Sequence, residues 1–348
     1  AKVVGFFEIC NIFAKKIFEM DKIIGLGNAL IDVLATLKDD TLLDELELPK
    51  GSMQLIDDAK LQQINTKFSQ MKTHLATGGS AGNAILGLAC LGAGTGFIGK
   101  VGNDHYGDFF RKNLQKNNIE DNLLTSEQLP SGVASTFISQ DGERTFGTYL
   151  GAAASLKAED LTLEMFKGYA YLFIEGYLVQ DHEMILHAIE LAKEAGLQIC
   201  LDMASYNIVE NDLEFFSLLI NKYVDIVFAN EEEAKAFTGE EPEEALRVIA
   251  KKCSIAIVKV GANGSYIRKG TEEIKVSAIP VEKVLDTTGA GDYFASGFLY
   301  GLTCGYSLEK CAKIGSILSG NVIQVIGTTI SPERWDEIKL NINKVLAE

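Results

Sequence analysis

No C-x-x-C pair occurs in this chain, and no group of histidines stands near a cysteine. The six cysteines (Cys10, Cys90, Cys200, Cys253, Cys304 and Cys311) are scattered, and the four histidines are dispersed. This spacing argues against a zinc site and gives no support to a Cys–His nucleophile. Several cysteines stand in apolar runs, where the residue behaves as a small hydrophobe. Reduced thiols and a cytoplasmic setting are the expectation. Positive charge is also in short supply: 32 Lys and Arg face 48 Asp and Glu, for a formal net charge of −16. Such a surface repels phosphate backbones, so nucleic acid is not an expected partner.

Signals for a membrane or for secretion are missing too. The N-terminal stretch AKVVGFFEICNIFAKKIFE has no uncharged run long enough to span a bilayer. It also lacks a basic start and a small-residue cleavage site, so neither a leader peptide nor a membrane partner is expected. Phe6, Phe7, Cys10, Phe13 and Ile17 could form one apolar helix face. A non-native extension over residues 1–20 is the plainer reading, and its role is left open. Internal repeats, low-complexity tracts and linkers are absent. The 348 residues therefore suit one large domain, over residues 21–348, with a small accessory piece.

What is present is a rhythm. Apolar strand-like runs at Lys22–Leu26, Gly96–Val101, Tyr171–Ile174, Gln198–Met203, Asp225–Ala229 and Ile255–Val260 alternate with helical patterns. The helical stretches include Ala81–Leu91, His182–Ala195, Glu231–Thr238 and Glu243–Lys252. The alternation predicts an α/β fold: a doubly wound, mostly parallel sheet with helices on both faces. IVFA and IAIV are nearly continuous in apolar residues, as strands buried on both faces should be. Two segments, about 33–57 and 132–151, break the rhythm with short alternating stretches such as ASTFIS and RTFGTYLG. The turn pair Asp141-Gly142 stands between two of them. They read as short antiparallel strands that together form a small β-sheet lid.

The most informative string is Asp286-Thr287-Thr288-Gly289-Ala290-Gly291-Asp292, followed by YFASGFLYGL. A Gly-Ala-Gly turn permits tight backbone geometry. The helix predicted to follow leaves its first N–H groups without internal partners, which suits a negatively charged oxygen. Asp292 at that terminus could be an ordinary acidic helix start. In a phosphoryl-transfer site it has a second use, accepting the proton of an attacking hydroxyl while the N–H groups of Gly289, Ala290 and Gly291 hold the phosphoryl.

Other motifs stand in order around it. Gly25-Leu26-Gly27-Asn28-Ala29-Leu30-Ile31-Asp32 opens the regular region, and Leu30 at the third glycine position weakens any dinucleotide reading. Gly78-Gly79-Ser80-Ala81-Gly82-Asn83 opens a helix, and Gly99-Lys100-Val101-Gly102-Asn103-Asp104 follows. Asn230-Glu231-Glu232-Glu233 could be only an N-cap with acidic residues in its first turn. Its place after the IVFA strand, at the carboxyl end of the sheet, favours function.

Together these strings resemble the PfkB/ribokinase family of carbohydrate and nucleoside kinases, from about Asp21 to the C-terminus. The resemblance implies a ribokinase-like fold and an ATP-dependent kinase with an alcohol group as acceptor. Asp292 would be the general base, and Gly289, Ala290 and Gly291 would form the anion hole. Asn28, Asp32, Gly79, Ser80 and Asn83 would bind the acceptor, since one carboxylate can accept from two neighbouring hydroxyls. ATP would lie near Asn230, Gly261, Gly264, Thr287 and Asn321. Mg2+ would be held near Glu233 through water, and K+ at Asp286, Thr288, Gly327 and Ser331. Val325 and Ile326 replace more polar residues there, and Lys259 stands where relatives often have Thr. Ser80, where ribokinase-like sequences usually carry Lys, points to a nucleoside such as adenosine. So do Arg144, in Asp141-Gly142-Glu143-Arg144-Thr145, and a slot lined by Leu30, Phe137 and Tyr177. A free sugar is the other reading. A monomer or a homodimer joined through the lid is expected.

Overall fold

The computed structural model describes residues 21–141 and 143–347. Residues 1–20, with the amphipathic face considered for them, and Gly142 of the Asp141-Gly142 turn lie outside the described residues.

Nine strands form the main sheet. They are β1 (Ile23–Leu26), β5 (Thr95–Gly102), β6 (Ile119–Ser126), β9 (Tyr171–Glu175), β10 (Gln198–Asp202), β11 (Ile226–Asn230), β12 (Ile255–Lys259), β13 (Ser265–Lys269) and β14 (Glu272–Val276). The spatial order is β14-β13-β12-β11-β10-β9-β1-β5-β6. Every pair from β6 to β12 is parallel, and β13 and β14 close one edge as an antiparallel hairpin. The six strands expected from apolar runs are all present. The hairpin is not among them, because its alternation is short and its outer strand is mostly exposed.

Alternate residues of each central strand feed two separate cores. Ile23, Phe97, Phe173, Phe228 and Ile257 point to one face. There they meet α3 (Ser80–Leu91), α10 (Ala290–Thr303) and α11 (Leu308–Val322). Ile24, Ile98, Leu172, Leu201 and Val227 point to the other. There they meet α5 (His182–Glu194), α7 (Leu213–Lys222) and α9 (Pro242–Ala250). The remaining described helices are α1 (Thr41–Glu45), α2 (Asp58–Phe68), α4 (His105–Lys116), α6 (Tyr206–Asn211), α8 (Glu231–Thr238) and α12 (Pro332–Ala347).

A second sheet of five strands runs β3-β8-β7-β2-β4, with β2 at Leu30–Thr36, β3 at Met53–Leu55, β4 at Thr73–Gly78, β7 at Gly132–Ile138 and β8 at Arg144–Tyr149. It departs from the expected lid in two ways. Two of its four pairings, β2–β7 and β3–β8, are parallel. Moreover, β4 belongs to it although it lies outside both rhythm-breaking segments. Local alternation reveals a half-buried strand but not its distant partner, which is why the pairing could not be read in advance. Asp32 lies in the middle of β2, in this second sheet.

Candidate active site

The carboxyl ends of the parallel strands carry one polar group after another. Just beyond β1 comes Asn28, and β9, β10, β11 and β12 end on Glu175, Asp202, Asn230 and Lys259. In a doubly wound sheet this edge is where ligands bind. Two helices enter the same edge by their N-termini. Gly79 (φ +85) leads into α3, and Gly289 (φ +76) leads into α10. A Cβ on Gly79 would sit 2.1 Å from the Asn28 carbonyl oxygen, so the turn admits no larger residue.

Asp292 stands in the first turn of α10. Its Oδ1 accepts from Ser80 Oγ at 2.7 Å, and its Oδ2 accepts from Asn83 Nδ2 at 2.9 Å. Removal from bulk water raises its pKa to about 6, while these two donors and Lys259 pull the other way. The carboxylate is thus positioned from two directions and poised near neutral pH. Ala290 N–H, expected in the anion hole, instead bonds to Thr287 O at 3.2 Å. The next two amides, of Gly291 and Asp292, have no hydrogen-bond partner among the described residues and remain open to an anion.

Asp32 lies beside a close backbone approach. A Cβ on Gly78 would come within 2.4 Å of Asp32 Oδ1. Burial raises the Asp32 pKa to about 7; Arg144 opposes this, while Asp286 and Asp292 add to it. Arg144 and Asp32 share one face of the second sheet, as the registers Asp32↔Ala134 and Ile138↔Arg144 require. Arg144 Nη2 lies 2.8 Å from Asp286 Oδ2, as an ion pair without a hydrogen bond.

Glu175 and Asp202 were not singled out from the sequence. Glu175 is 1% exposed. Its Oε1 accepts from Asn28 N at 2.9 Å and Asn28 Nδ2 at 2.6 Å, and its Oε2 accepts from Ala81 N at 2.9 Å. It therefore ties the end of β1 to the start of α3. Burial raises its pKa to about 7 against those donors. Asp202 accepts from Lys259 Nζ at 3.0 Å. The only local signal for either was an acidic residue directly after an apolar run, a pattern shared with ordinary turns.

Asn230 and Glu233 form a closed capping box. Asn230 Oδ1 accepts from Glu233 N at 2.8 Å. Glu233 Oε2 and Oε1 accept from Asn230 N and Nδ2, both at 2.7 Å. Burial, with Asp202 adding, raises the Glu233 pKa to about 7. Since both its oxygens are engaged, Glu233 could serve a metal only through water. Among the described residues no three His, Cys, Asp or Glu side chains converge as a metal cage.

Three further expectations change. Phe137 does not face the acceptor side. It is fully buried on the opposite face of β7, 5.0 Å from the Phe68 ring. Strand parity sends residues 134, 136 and 138 to the Asp32 face and residue 137 away from it. Tyr177 lies in the turn after β9 rather than under the second sheet. Burial suppresses its ionisation, and the negative charges of Asp292, Glu175, Asp202 and Glu233 add to that. Leu30 does stand on the Asp32 face, and the aromatic there is the half-buried Phe146.

The third change concerns K+. Asp286 already accepts from Thr288 N at 3.0 Å and Gly327 N at 2.8 Å, and it pairs with the Arg144 guanidinium. The residues present do not fit a separate monovalent cation. Ser331 instead starts α12, accepting Trp335 N–H at 3.0 Å through its carbonyl.

Among the residues expected near ATP, Gly264 (φ +95) is dictated by packing, because a Cβ would lie 1.9 Å from Val276 O. Gly261 is exposed with open space around it, and Thr287 is exposed. Asn321 is buried and donates to Ile317 O at 2.8 Å. Among the described residues no helix is long and apolar enough to cross a membrane, and the five described cysteines form no disulfide.

A profile described as pfkB family carbohydrate kinase matches residues 51–335. A probable sugar kinase protein from Rhizobium etli CFN 42 is 35% identical, with a TM-score of 0.83 over 93% of this chain and 99% of that one. The adenosine kinase from Sinorhizobium meliloti is 33% identical, with a TM-score of 0.82 over 92% of this chain and 99% of that one. Adenosine kinase 2 of Arabidopsis thaliana is 27% identical over 340 residues, covering 90% of this chain and 96% of that protein.

Proposed function

The chain belongs to the pfkB family of carbohydrate kinases and is an ATP-dependent kinase, and we propose that its acceptor is the 5′-hydroxymethyl group of adenosine, which it converts to AMP. The observation that carries this reading is Asp292. It is held by Ser80 and Asn83 at the mouth of α10, next to open amides and within the electrostatic reach of Asp32.

In this reading Asp32 accepts from the two ring hydroxyls of the ribose, and Asn28 and Asn83 frame the same pocket. The 5′-hydroxyl then lies against Asp292, which takes its proton as the oxygen attacks the γ-phosphorus. The amides of Gly291 and Asp292 hold the transferring phosphoryl group. Asn230 and Glu233 would hold Mg2+ through water, and the ion would supply charge neutralisation to the phosphates. The second sheet acts as a lid that excludes competing water.

A purine is supported by the apolar strip beside Asp32. Phe146 pairs with the half-exposed Met53, and the exposed Leu55 follows on the same face of β3. A free ribose would leave that strip without an occupant. The sugar reading draws support from the Rhizobium etli relative. An ADP-release screen over adenosine, other nucleosides, ribose and fructose decides between them. Adenosine should give the highest kcat/KM; ribose or fructose exceeding it would establish the sugar reading.

A further inference from the structure

Lys259 ends β12, opposite Asn230 in the parallel register. Its side chain is 14% exposed and that of Asp202 is 7% exposed, with 3.0 Å between Nζ and Oδ2. The same Nζ lies 3.0 Å from where a Cβ on Gly291 would stand. The ammonium therefore sits directly against the turn whose amides are open. Burial works against its charge, but Asp202, Glu233 and Asp292 outweigh that and keep it protonated.

A buried ion pair is weak evidence for a stability role, since desolvation offsets most of the attraction. The position of this one is more informative. A lysine that served only to neutralise Asp202 could do so anywhere around that carboxylate. This one stands between Asp202 and the helix terminus, so a fixed positive charge lies beside the open amides. The phosphoryl group passes there if Gly289–Asp292 is the anion hole.

We propose that Lys259 is a catalytic residue that contacts the γ-phosphoryl group of ATP during transfer, with Asp202 as its positioning residue. The inference rests on the kinase reading of the Asp292 site and deepens it. The acceptor oxygen forms a bond to the γ-phosphorus while the β–γ bridging P–O bond breaks. ADP leaves with that electron pair, and the acceptor proton goes to Asp292. Lys259 keeps its proton throughout and donates hydrogen bonds to the phosphoryl oxygens as charge redistributes over them. Only the γ-phosphoryl group needs this contact, so ATP should feel the lysine far more than ADP does.

The test uses the full chain as Lys259→Met, Lys259→Arg and the double variant Lys259→Met/Asp202→Asn, with circular dichroism as a folding control. Calorimetry gives ATP and ADP affinities without any acceptor, and rapid quench gives the single-turnover rate with adenosine. Lys259→Met should slow transfer by about 100- to 1,000-fold, in line with loss of one preorganised donor. It should erase the preference for ATP over ADP, and Lys259→Arg should restore part of both. The double variant removes both charges together and should fold even if the single variant does not. It should remain as slow as the single variant. A double variant with near-normal transfer, or an unchanged ATP-to-ADP affinity ratio, overturns the proposal. Asp292→Asn separates the two claims, because it should abolish transfer while leaving the ATP-to-ADP ratio intact. An active Asp292→Asn would overturn the base assignment, whereas the ratio in Lys259→Met would still report on Lys259.

Discussion

Ser80 donates its hydroxyl proton to the Asp292 carboxylate at 2.7 Å across 212 positions of sequence. The bond joins the N-termini of α3 and α10 and favours the ionised form of the carboxylate. Removing the donor should make Asp292 easier to protonate. The pKa of about 6 then moves upward. A protonated base cannot accept the acceptor's proton, so activity is lost as pH falls through that pKa. Ser80→Ala should therefore shift the acid limb of the kcat profile to higher pH, with the largest loss near pH 6 and little loss in mild alkali. A pH profile that superimposes on wild type would show that Ser80 does not tune the base.

Glu175 is a second point where distant segments meet. Its two oxygens receive three N–H donors, two from Asn28 and one from Ala81. In Glu175→Gln one oxygen becomes an NH2 group facing a donor. An unmade buried hydrogen bond costs about 1–3 kcal/mol, more when a charged partner is lost. Urea unfolding should show a loss of that size. The acceptor KM should rise as well, because α3 loses its registration with the β1 end.

Arg144 bears on ion dependence. With its guanidinium already on Asp286, replacing K+ by tetramethylammonium should leave turnover unchanged. Arg144→Met leaves Asp286, whose side chain is 3% exposed, without its cation. Breaking a buried pair costs about 3–5 kcal/mol, and water in the cleft should reduce that here. The variant should lose activity and regain part of it with added K+. Strong K+ dependence of the unmodified chain would contradict this account of the site.

Phe146 and Phe137 make a paired test of the acceptor wall. Phe146→Ala should weaken adenosine by about 1–3 kcal/mol, the worth of stacking a base on an aromatic ring, and affect ribose far less. Phe137→Ala should destabilise the fold by about 3–5 kcal/mol, as aromatic truncation in a core does, without changing the adenosine-to-ribose ratio. Equal effects of Phe146→Ala on both acceptors would remove the stacking role.

Much of the main sheet was legible because a parallel strand covered on both faces must be apolar throughout. Ile255–Lys259 and Ile226–Asn230 match the expected runs to within a residue at each end. The glycine turn before Asp292 was legible because a backbone turn into a helix demands particular residues. The second sheet was harder, since β2 pairs with β7 about a hundred residues later and no local pattern specifies that partner. The face of each strand follows from that pairing, which is why Phe137 was placed on the acceptor side and Phe146 was overlooked. Glu175 and Asp202 were equally hidden, and Lys259 stood out only as a departure from the family's usual Thr. Each is a single polar residue ending an apolar run, and only the alignment of neighbouring strands gathers them into one cleft.

The central claim is that Asp292 removes the acceptor's proton, and Asp292→Asn tests it most directly. Asparagine keeps the shape and can still meet Ser80 and Asn83, so folding by circular dichroism and ATP affinity by calorimetry should be preserved. Single-turnover phosphorylation of adenosine should fall by about 100- to 10,000-fold, the usual contribution of a positioned base. Transfer at close to the wild-type rate in a folded, ATP-binding Asp292→Asn protein would contradict the account.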